Sequence, residues 1–264
     1  MLGDFSVLLF SLSIIIGVAT VGLLRPQVAS TGTVSFAGFD GFGVVAGFAI
    51  IFAGAIALGP QFGIPLLLAL LLHELGQVLG YRMLGHEKAC FRLVPWINAA
   101  KISDQPLKTD GEVFLAAIMG PAFNLAPMAI LMALALGLAA TQPATAQWLW
   151  MFGATIGAVN FISLLPFLPL NGGRCTKSAV KNFWPALAPA MNVFMCAALA
   201  SASVRTGSVA LMVMAGIGAQ GLLRRARPTE NTMTSDDGLI ALAAYAFTMA
   251  AHFSAGWWLI RAFF

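Results

Sequence analysis

The sequence predicts an all-α integral membrane protein, a polytopic bundle of about eight transmembrane helices, and three observations carry that prediction. Of 264 residues, 59% are hydrophobic and only 9% are charged, whereas charged residues make up about a quarter of a soluble domain. The apolar residues gather into runs long enough to cross a hydrocarbon core, which takes about 20 residues. The basic residues fall in short stretches between those runs, so the net charge of +4 reads as orientation in a bilayer and not as a nucleic-acid footprint.

Phe5 to Leu24 is the first span. A signal peptide is the competing reading, but only Asp4 precedes the run, with no basic region and no small-residue cleavage site. Arg25 to Gly43 is rich in Gly, Ser and Thr and carries Asp40; the sequence leaves open whether it is a re-entrant or a surface segment. Val44 to Leu58 forms a short second span, and Gly59-Pro60 breaks it before the third, from about Phe62 to Leu84. Arg82 to Glu112 is the most polar part of the chain. Within it, Leu93 to Lys101 has the β-branched residues and early proline of a short extended or hairpin element. The fourth span, Val113 to Ala139, is interrupted by Gly120-Pro121, with Asn124 just beyond; the fifth runs from Gln147 to about Leu164. In Leu165-Pro166-Phe167-Leu168-Pro169-Leu170 each proline removes a donor and turns its predecessor away from helix, so no regular helix is expected there. It leads into a loop at Asn171-Gly172-Gly173-Arg174. Further spans follow near Pro185 to Val204, Ser208 to Leu223 and Gly238 to Ile260.

With the loop after His73 in the cytoplasm, twelve basic residues (Arg25, Arg82, Lys88, Arg92, Lys101, Lys108, Arg174, Lys177, Lys181, Arg224, Arg225 and Arg227) lie on that side and only two, Arg205 and Arg261, opposite. That orientation puts both termini outside the cytoplasm of what would be a bacterial inner membrane, and brings the end of the His73 helix and the Asn171 loop to one face. Cys90, Cys175 and Cys196 show no metal-type spacing, and the first two fall in or near cytoplasmic loops, which argues against a structural disulfide. No internal repeat is evident.

The chemistry concentrates in His73-Glu74-Leu75-Gly76-Gln77. Ionisable groups at membrane depth are costly and mark a functional site, and residues four apart on a helix share a face, so His73 and Gln77 point together with Glu74 beside them. This is the zinc-protease H-E-x-x-H pattern with glutamine for the second histidine. Together with Gly120-Pro121-Ala122-Phe123-Asn124 and Leu165 to Leu170 running into Asn171-Gly172-Gly173, in that order, it resembles the site-2 protease family of intramembrane zinc metalloproteases. The resemblance covers roughly Pro65 to Lys181. It implies N-terminal helices and a loop over 1–61, a three-helix site-2-protease-like core over 62–181, and C-terminal helices over 182–264.

The resemblance further implies His73 as first zinc ligand, Glu74 as general base and Asn124 as a substrate-positioning residue, with Gln77 and Asn171 at the positions of the remaining ligands, a histidine and an aspartate. Zinc favours imidazole, thiolate and carboxylate, usually three of them plus water. Two neutral carboxamides are poor substitutes, and without a metal Glu74 has no activated water to deprotonate. The expectation is therefore a pseudoprotease with no cofactor, His73 and Glu74 vestigial, binding transmembrane helices of another membrane protein as a structural subunit, assembly factor or regulator. The alternative is an active intramembrane protease with zinc, or an inactivated version of one, since both exchanges change shape only modestly. A bland reading stands beside them: a metal-free polar network of His73, Glu74, Gln77 and Asn171, with Asn124 and Asn160 as interhelical bridges and Gly76 and Gly80 serving close packing. A transporter would show paired interruptions in two similar halves, and there are none.

Overall fold

The computed structural model describes residues 2–29, 35–37, 41–92, 102–223 and 232–261. Among the described residues the regular structure is helical apart from one short pair of strands: α1 (Leu2–Ala29), β1 (Ser35–Ala37), α2 (Gly41–Leu58), a 3-10 turn at Pro60–Phe62, α3 (Gly63–Met83), β2 (Cys90–Arg92), α4 (Asp110–Leu138), α5 (Pro143–Ser163), α6 (Asn171–Val180), α7 (Leu187–Thr206), α8 (Val209–Leu223) and α9 (Ser235–Ile260). Among the described residues four stretches, Pro60–Met83, Asp110–Leu138, Leu187–Thr206 and Ser235–Ile260, are helical, long and apolar enough to cross a membrane. Large apolar side chains also face outward, Phe194, Val204, Ile240 and Phe247 among them. In water such a surface would drive association; against lipid it is the expected exterior.

The centre is built on α4 and α5. Helix α5 packs along both α4 and α9, α3 lies against α4 and α5, and α1 also packs on α4. Helix α4 opens with a capping box: Thr109 accepts from the Glu112 N–H while the Glu112 carboxylate accepts from the Thr109 N–H. Its base is tied to α6 by Lys181, whose Nζ lies 3.1 Å from Asp110 Oδ2.

Two expectations are corrected here. The Gly120-Pro121 interruption does not occur: α4 runs unbroken through Pro121 and Pro127, because neighbouring helices hold a proline-containing helix at membrane depth. Gly120 instead makes room, since a Cβ there would stand 2.9 Å from His73 Cε1 and 3.0 Å from Gln77 Cγ. Likewise Asn171 is not in a loop but in the first turn of α6. The glycines after it allow this, because a Cβ on Gly172 would collide with the Leu164 carbonyl and one on Gly173 with the Phe167 backbone. The Leu165 to Leu170 segment is indeed non-helical. Tyr245 donates to the Leu164 carbonyl at 2.6 Å, and the Leu168 N–H donates to Asn192 Oδ1. The extended element expected at Leu93 to Lys101 lies outside the described residues. Just before it, β2 pairs in parallel with β1, in the register Ser35 to Cys90, Phe36 to Phe91 and Ala37 to Arg92.

Candidate functional site

Helix α3 presents the site on its inner face: His73 and Glu74 are completely buried, and Gln77 nearly so. That face can approach α4 because Gly76 and Gly80 lack side chains; a Cβ on Gly76 would meet the Met119 carbonyl at 2.7 Å, and one on Gly80 would meet Met119 Cβ at 2.7 Å. Close packing is thus the work of both glycines.

The His73 ring is held from both sides. Its Nδ1–H donates to Asn160 Oδ1 at 2.7 Å, which leaves Nε2 as an acceptor. Gln77 Nε2 donates to it at 3.2 Å and Asn171 Nδ2 at 3.1 Å. Three positions of the motif, from the middle of α3 and the start of α6, therefore converge on one imidazole nitrogen. Asn160 in turn accepts from Asn124 Nδ2 at 3.3 Å and donates to the Ile156 carbonyl at 2.8 Å. Asn124 thus reaches His73 only through Asn160, and its own Oδ1 is buried with no hydrogen-bond partner among the described residues.

Glu74 turns the other way, to Arg92 on β2. Arg92 Nε donates to Oε1 at 2.6 Å, Nη2 to Oε2 at 3.0 Å, and the Arg92 backbone N–H to Oε1 at 3.3 Å. A two-pronged guanidinium–carboxylate contact of this kind is among the strongest polar pairings in proteins. The same Nη2 reaches Gln77 Oε1 at 3.1 Å. One chain of contacts therefore runs from Glu74 through Arg92, Gln77 and His73 to Asn160 and Asn124.

The residues present do not fit a zinc ion. The lone pair of His73 Nε2 faces two amide N–H groups, the Gln77 oxygen is taken by a cation, and Glu74 already has its positive partner. Among the described residues no third His, Cys, Asp or Glu joins His73 and Glu74. His252 does not stand in: it is buried on α9, with Nε2 donating to the Pro121 carbonyl at 2.9 Å. His86 bonds Ser103 beyond the end of α3. What the arrangement can do is hold helices in fixed register, since each buried polar group on His73, Gln77 and Asn160 has its partner.

Sequence reasoning counted Arg92 only among the cytoplasmic charges. The sequence signals that a counter-charge is needed, because a carboxylate at membrane depth requires one, but not which of the basic residues supplies it. No protein-family model, no curated protein and no solved structure matches this chain.

Proposed function

We propose that the chain is a site-2-protease-like membrane protein without metal chemistry, a pseudoprotease that binds transmembrane helices of another membrane protein as a structural subunit, assembly factor or regulator. The observation that carries this reading is the closed polar network: both carboxamides turned onto His73 Nε2, and Glu74 paired with Arg92.

Partner binding is supported by a wholly apolar cleft of about 520 Å³ between α5 and α9 on one side and α7 and α8 on the other, lined by residues such as Phe161, Leu165, Met195, Leu211 and Trp257. The eight-span arrangement, with both termini outside the cytoplasm of a bacterial inner membrane, rests on the distribution of basic residues along the sequence. Elemental analysis of the purified chain, with mass spectrometry of whatever copurifies, tests the reading. The expected result is zinc far below one per chain and a recurrent membrane-protein partner; stoichiometric zinc would sink it.

The second reading, a working intramembrane zinc protease, is favoured by one observation, the convergence of residues 73, 77 and 171 on a single point. Cleavage of a transmembrane substrate by the unaltered chain, abolished by Glu74→Gln, would establish it.

A further inference from the structure

We propose that Arg92 is the resident cation of this site, taking the charge-neutralising place of a metal, and that it is a barrier to metal binding independent of the exchanged ligands. This rests on the metal-free reading above. Its warrant is how thoroughly Arg92 is built in. The guanidinium is 13% exposed and Glu74 is fully buried, so the pair is largely withdrawn from water. The contact is not the reach of a long side chain alone, because the backbone N–H of the same residue also donates to Glu74. That backbone belongs to β2, whose register is set by β1 and supported by Phe36 packing on Phe91, ring centroids 6.0 Å apart.

The guanidinium also joins Glu74 to the carboxamide that meets His73. Its Nη2 bridges Glu74 Oε2 and Gln77 Oε1, and Gln77 is bonded through its other end to His73. A dication lodged at His73 Nε2 would be separated from this positive charge by a single carboxamide, that of Gln77, in surroundings where like charges repel far more strongly than in water. Loss of ligands would weaken metal binding; a captured carboxylate and an installed cation would add metal exclusion. These are separable.

The test compares zinc titrations of the full-length chain purified in detergent, using zinc ion alone against a chromophoric chelator. Gln77→His with Asn171→Asp rebuilds the ligand set and leaves Arg92; adding Arg92→Gln removes the charge, and Arg92→Lys in its place keeps the charge but not the fork. We expect the rebuilt chain to bind zinc at least ~100-fold more weakly with Arg92 or Arg92→Lys than with Arg92→Gln, as large as the strongest effects of residues surrounding a metal site. Equal affinity in all three overturns the proposal, as does failure of the Arg92→Gln form to bind zinc. Thermal unfolding of the unaltered ligand set supplies a second readout, with Arg92→Gln lowering the midpoint and Arg92→Gln/Glu74→Gln recovering part of it; no drop in the single variant also overturns it. Stoichiometric zinc in the unaltered chain would instead defeat the metal-free reading, and it is read from a different sample.

Discussion

The His73 site and the cleft beside α7 and α8 are both inside the helical bundle, yet they are opposites. In the first, an imidazole, a carboxylate, a guanidinium and carboxamides are matched to one another at 2.6–3.3 Å. In the second, Phe161, Phe253 and Trp257 pack in sequence as tilted ring pairs, with centroids 5.0 and 5.1 Å apart, along an apolar space lined by apolar residues. The contrast teaches where each region can tolerate change. A buried polar network has little slack, because an abandoned partner costs its full desolvation. An apolar cleft has no such debt, and its walls can shift.

The largest expected effect comes from breaking the network at its charged end. Arg92→Ala strands Glu74, and should cost about 3–5 kcal/mol in chemical or thermal unfolding in detergent; a loss under 1 kcal/mol would mean that Glu74 is solvated in solution. Next, His73→Leu removes the acceptor of Gln77 and Asn171 and the donor of Asn160, with an expected loss of about 3 kcal/mol. A metal ligand would behave differently, because its removal would also make unfolding insensitive to chelator. Unfolding scans with and without chelator separate the two. On the other side of the comparison, Ala202→Leu adds bulk to the cleft wall and should change stability by less than about 1 kcal/mol, while reducing the yield of any copurified partner. Unchanged partner yield would remove the cleft from the binding surface.

The smallest effect is expected at His86, outside both regions, which donates or accepts at Ser103 Oγ across 2.8 Å and meets the Tyr81 ring edge-on. Burial holds its pKa below the usual 6.5, with Glu112 opposing and Lys108 adding to the shift. The fold therefore favours the neutral ring. Its contribution is complete above the unfolded value of about 6.5 and is lost as pH falls below that toward the depressed folded value. Melting scans from pH 7.5 to 5 should show a shallow decline that His86→Gln flattens.

Much of the site was legible in the sequence because its logic is periodic: His73 and Gln77 share a face by helical spacing, and Asn171 follows a proline-broken segment that ends close to them. Four long helices were legible as apolar runs, as was the non-helical Leu165 to Leu170, whereas the short polar helix α6 was not. What escaped was tertiary. Pro121 reads as a break until α4 is packed between its neighbours, and Asn171 reads as a loop until the bare glycines behind it let α6 start against the Leu164 carbonyl. Arg92 escaped because nothing local announces which of many basic residues turns back toward α3; that depends on a strand partner more than fifty residues earlier.

That strand partner has a consequence for the region ahead of the core. In a pleated ribbon a slip of one residue reverses which side each residue faces, so the pairing of Ala37 with Arg92 acts as a depth gauge for the guanidinium. The leading segment then does more than flank the core: a shortened chain starting at α3 would carry every helix that bears a motif residue, and would have surrendered the ruler that aims the charge.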